Sequence, residues 1–143
     1  MGALGMFARN RTETRRFFHE SWRKRCAGLP LEPLEALVAD VVAAHPEYHV
    51  QVTDKRPIEG DGADPVGNPF LHLGLHVALL EQLQADRPTG IRAEFIRLKA
   101  HHPDIHQTEH RIIEILADAL WTAQSRGAFP DEAQYLERIR RLD

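Results

Sequence analysis

The stretch NPFLHLGLHVALLEQ, residues 68–82, decides the fold class. Asn68 followed by Pro69 pairs a helix-capping residue with a first-turn proline, so a helix is expected to start there and run to about Asp86. At about 100° per residue, His76 falls roughly 40° from His72, and Leu75, Leu79, Leu80 and Leu83 flank the pair. Glu81, Gln82 and Gln84 fall outside that arc. The wheel therefore aims two imidazoles into the apolar centre of a helix.

The pattern recurs further on. In the helix expected over about 104–125, His106 and His110 share one face with Ile113, Ala117, Leu120 and Trp121, and Glu114 sits at its edge. The two helices are expected to pack together. The rest of the chain is punctuated in the same way. Residues 12–27 place Phe18, Trp22 and Cys26 on one face and stop before Gly28. Residues 31–44 repeat Leu34, Leu37, Val38, Val41 and Val42 near a period of 3.6. His45 before Pro46 ends that helix, and PEYHVQ reads as a short extra turn. PTGIRAEFIRLKA is a shorter helix closed by HHP, and PDEAQYLERIRRL carries acids first and bases last, matching the helix dipole. Residues 53–67 form a polar Gly/Pro loop, read as a lid or connector. Strand signals are nearly absent. The expected fold is all-α, a compact bundle of five or six helices in one domain over residues 6–143, with residues 1–5 an extended start.

Composition narrows the function. The 143 residues are 43% apolar and 27% charged with a net charge of -3, as in an ordinary globular domain. That charge gives no general reason to bind nucleic acid or an anionic membrane. No run approaches the roughly 18 apolar residues of a membrane span. The apolar stretch at the start is too short for a secretory signal, and Met6 stands where a myristoylation motif wants Ser or Thr. A single cysteine, Cys26, forms no internal disulfide. These features point to the reducing cytoplasm. The basic run from Arg9 to Arg25 reads as a solvated helix face.

The histidine pairs carry the chemistry. Residues four apart on a helix stack on one face, so both imidazoles reach one point beside it. Helices packed about 8–10 Å apart leave room for a metal held through nitrogen at about 2.0–2.1 Å from both sides. Imidazole suits Zn, Fe, Cu or Ni, and Zn or Fe is the expected divalent metal. The alternative is four core histidines with ordinary hydrogen bonds. Four unpaired polar rings would cost about 4–12 kcal/mol, against a total stability of about 5–15, so something must satisfy them. HPEYH, residues 45–49, adds His45 and His49 to the candidate ligands, with Glu47 evenly balanced between ligand and surface roles. Glu114 and Glu47 are the candidate proton-handling carboxylates. His101 and His102 are expected to be exposed, and His19 to sit at a boundary. Glu-x-x-His and His-Glu-x-x-His motifs and Gly-rich phosphate loops are absent.

Five blocks carry a family resemblance: MFARNRTETRRFF, PLEPLEALVADVVAAHPEYH, NPFLHLGLHVALLEQ, HQTEHRIIEILADALWTAQ and PDEAQYLE. Together they resemble the bacterial family called domain of unknown function 1841, from about Met6 onward. The resemblance implies a shared site at His45, His49, His72, His76, His106 and His110. It brings no established activity.

Three readings follow. The first is a cytoplasmic metalloprotein in which a metal-bound water and Glu114 or Glu47 serve hydrolysis or an oxygen-linked step on a small-molecule substrate. The second is a non-catalytic metal-binding or sensing protein with a closed shell. The third is a structural interaction module with hydrogen-bonded core histidines.

Overall fold

The structure, a computed structural model, describes residues 11–53 and 69–143. Residues 1–10 and 54–68, which include the expected extended start, the Asn68 cap and most of the polar loop, lie outside the described residues. Seven α-helices are present and no strand among the described residues. They are α1 (Arg11–Cys26), α2 (Pro33–Ala43), α3 (His49–Thr53), α4 (Pro69–Ala85), α5 (Ile91–His101), α6 (Ile105–Arg126) and α7 (Glu132–Arg140). A 3-10 turn, Pro46–Tyr48, leads into α3. The fold is all-α, with six helices of ordinary length and the five-residue α3 supplied by the PEYHVQ stretch. No helix among the described residues is long and apolar enough to cross a membrane.

Contacts group the chain into two compact units, one reaching to Ala78 and one starting at Leu79. Helix α4 contributes to both. Its middle is more buried than an amphipathic helix requires: every residue from Leu73 to Leu79 is shielded from solvent. The sequence permits this because no charged side chain occurs from Pro69 to Leu80. A helix apolar all round belongs to a core.

In the first unit α1 packs on α2 and α3. Gly28, at φ 70°, reverses the chain after α1, a left-handed conformation that costs glycine nothing. Phe18 is fully buried and meets Phe70 edge-on at 6.0 Å. Each such ring contributes about 1.5–3 kcal/mol through burial. Helix α2 buries Val38, Ala39, Val41 and Val42, whereas Leu34 and Leu37 of the expected stripe are half-buried. Two ion pairs join α1 to α2: Lys24 Nζ to Glu35 at 2.7 Å and Arg25 Nη2 to Asp40 at 2.9 Å. Trp22 is half-buried and Cys26 is exposed.

In the second unit α5, α6 and α7 surround Ile91, Leu98, Ile112, Leu116, Leu136 and Ile139. Asp104 caps α6 by accepting from the backbone of His106 and Gln107, and Gly127, at φ 62°, closes it. Asp131 caps α7. Arg97 donates to the carbonyls of Ile139, Arg140 and Leu142, satisfying the end of α7. The Tyr135 hydroxyl donates to Gln82 Oε1 at 2.7 Å, and burial pushes its pKa up.

The apolar arc expected on α6 needs correcting. Thr108, Ile112, Ile113, Ile115, Leu116 and Ala123 are the buried residues, spanning about 160° of the wheel. His106 lies about 20° beyond Ile113 at the edge of that arc, with His110 about 60° and Trp121 about 80° beyond it. Of the residues expected beside the histidines, Ile113 is buried, Ala117 and Leu120 are half-buried, and Trp121 is 67% exposed. The wheel centred on the histidines put the middle of the buried arc where the structure has its edge.

Candidate metal centre

His45 stands where Pro46 ends α2, and it is 2% exposed. Its Nδ1 lies 2.7 Å from the carbonyl oxygen of Val41. A carbonyl only accepts, so Nδ1 carries the hydrogen and Nε2 carries the lone pair. Backbone geometry thus sets the tautomer of a ring that the sequence placed outside any regular helix.

His72 and His76 stack along α4. His76 is 1% exposed and His72 is half-buried. Their Nε2 atoms are 3.2 Å apart and their ring centroids 4.8 Å apart. The His45 ring lies 4.5 Å from that of His76 and 5.3 Å from that of His72. Tyr48, which no motif singled out, stacks on His45 at 5.9 Å and meets the His72 ring at 6.0 Å. Its only trace in the sequence is its place inside HPEYH.

On α6, His106 and His110 are half-buried with ring centroids 4.2 Å apart. The Asp104 cap fixes the start of the turn that carries His106. His45, His76, His106 and His110 each offer one nitrogen, and these nitrogens all lie within 4.8 Å of one another. This buried four-histidine cluster can hold a metal ion. Every donor in it is an imidazole.

Other sequence candidates sit elsewhere. His49 Nε2 lies 2.8 Å from the carbonyl oxygen of Val42, and its ring lies against Trp22 at 4.7 Å, facing α1. His19 Nδ1 lies 3.1 Å from the carbonyl oxygen of Val52. Glu47 and Glu114 are exposed. His101 is exposed as expected, but His102 is half-buried, with Arg111 Nη1 3.2 Å from its Nε2 and the Asp143 carbonyl beside it.

The profile of a family described as domain of unknown function (DUF1841) matches residues 10–141. The chain belongs to the DUF1841 family. Comparison with curated proteins and with solved structures gives no match. The DUF1841 match spans all the histidines of the cluster. Within this DUF1841 domain the four candidate donors are imidazole nitrogens, a ligand type that suits Zn, Fe, Cu or Ni, with no thiolate among them.

Proposed function

We propose that the protein binds a divalent transition metal, Zn or Fe, through His45, His76, His106 and His110. One observation carries the reading: four imidazole nitrogens lie within 4.8 Å of one another. The hydrogen bond from His45 to Val41 supports it. Metal-bound histidines commonly donate their other ring N–H to a backbone carbonyl, which orients the ring and raises its basicity. A bound ion would act as a Lewis acid toward whatever ligand reaches it. The exposure of Glu47 and Glu114 favours a binding or sensing role over an enzyme in which either carboxylate moves a proton.

A second reading rests on the 3.2 Å contact between the Nε2 atoms of His72 and His76. One ring donating to the other would make these histidines a hydrogen-bonded core network in an interaction module. Elemental analysis of protein purified without a histidine tag separates the two. About one equivalent of transition metal per chain is the expected result. Metal-free protein that also fails to take up added Zn²⁺ or Fe²⁺ would leave the network reading in possession of the site.

A further inference from the structure

The elbow between α5 and α6 and the chain after α7 share a property: neither is anchored by a buried side chain. From Lys99 to Gln107, His102 and His106 are half-buried and every other residue is exposed. After α7, Arg141 and Asp143 are exposed and Leu142 is half-buried. Segments with few buried apolar contacts open locally, without global unfolding. Polar side chains tie these two segments together within the second unit. Arg111 Nη1 donates to the carbonyl oxygen of Asp143 at 2.8 Å, and His102 Nε2 contacts the same oxygen. A carbonyl only accepts, so His102 donates from Nε2, and its 3.2 Å separation from Arg111 Nη1 is that of two donors on one acceptor. Arg97 grips the chain one residue earlier, donating from Nη1 to the Leu142 carbonyl at 3.0 Å while Glu94 holds its Nε at 2.9 Å. These acceptors are backbone oxygens, so the clasp follows the path of the chain and not the side chains of residues 141–143.

We infer that residues 99–107 and 141–143 form a latch: they open and close as one unit, with His102 and Arg111 as its keepers. Arg111 stands beside buried Ile112, on the part of α6 that the core of the unit fixes. His102 stands in the elbow itself, between the end of α5 and the Asp104 cap. When both side chains hold the Asp143 oxygen, the elbow is tied to the fixed part of α6 through the chain after α7. When they let go, the first turn of α6, which carries His106, loses that tie while the core-held turns stay in place. Nothing in the latch requires a metal ion.

Residue-resolved amide hydrogen exchange on the full chain tests the latch. The reporters are the amides of His106 and Gln107, which donate to Asp104, and those of Arg141 and Leu142, which donate to Glu137 and Ile139. Arg111→Gln should speed exchange at both sets by about fivefold, the worth of one hydrogen bond, and leave the amide of buried Leu116 unchanged. Asp143→Ala should exchange like the wild type, because the clasp holds a backbone oxygen. Acceleration confined to Arg141 and Leu142, with His106 and Gln107 unmoved, would overturn the latch. So would equal acceleration at Leu116, the mark of a loss of global stability. If Arg111→Gln does not fold, as judged by circular dichroism, His102→Ala decides the matter with the same expected pattern.

Discussion

His45 donates from Nδ1 to the carbonyl of Val41, one helical turn back, at 2.7 Å. The bond extends α2 by a side chain where Pro46 stops the backbone, and it leaves Nε2, with its lone pair, as the ring's donor atom for the proposed metal. On the proposed function, holding the ring and binding the metal use different nitrogens of one residue, and they can be separated by mutation.

His45→Asn keeps an amide donor near the position of Nδ1 and deletes Nε2. The metal-free variant should lose no more than about 1 kcal/mol relative to metal-free wild type, the worth of one altered hydrogen bond. Its metal affinity should fall at least about tenfold. Chemical denaturation of the stripped proteins and metal titration give the two numbers.

Chelation should lower the melting temperature of the native protein. A metal that binds only the folded state stabilises it by about 2.7 kcal/mol at a hundredfold excess over the dissociation constant. His76→Ala or His110→Ala should abolish most of the difference between chelated and metal-loaded samples. Thermal melts of the three proteins, with and without chelator, check this. A wild type that melts identically in both conditions would return the histidines to the core-network reading.

Asp104→Ala should cost about 1 kcal/mol, because it removes the side chain that satisfies the first amides of α6. The loss falls on the turn bearing His106. Metal affinity should therefore drop together with stability, while Asp131→Ala, an equivalent cap on α7, should lower stability alone. Parallel melts and metal titrations of the two variants make the comparison.

Glu35 gives a pH dependence away from the cluster. The hydrogen bond from Lys24 holds its carboxyl below the usual range, helped by the backbone amide of Glu32. A carboxyl whose folded-state pKa is depressed adds stability that is fully present above its ordinary value of 4.5 and lost as pH falls below it toward the folded value. Glu35→Gln should thus destabilise the protein by on the order of 1 kcal/mol at pH 7, allowing for solvent screening at the Lys24 end. The gap between variant and wild type should close in strong acid. Urea melts across the acid range measure it.

The helices and the histidine spacing were legible because they are encoded within a few residues. Pro69, Gly127 and the i,i+4 pairs act through one turn of helix, and a turn is local. The continuous burial of Leu73–Leu79 was half-legible, since an uncharged run permits it but the wheel alone shows only a stripe. Trp121 was misread because an arc on a wheel does not say where along it the core is centred.

The sequence by itself determined that this chain is helical and that His72, His76, His106 and His110 come as stacked pairs. Only the tertiary structure decided which of the HPEYH histidines joins them. His45, outside any helical register, turns its ring to His76 at 4.5 Å, while His49 turns to Trp22 at 4.7 Å. The choice depends on two carbonyls, Val41 for His45 and Val42 for His49. Spacing along a helix is a property of neighbours in the chain. The direction of a ring at a helix end depends on which backbone acceptors and aromatic faces the folded chain brings to it.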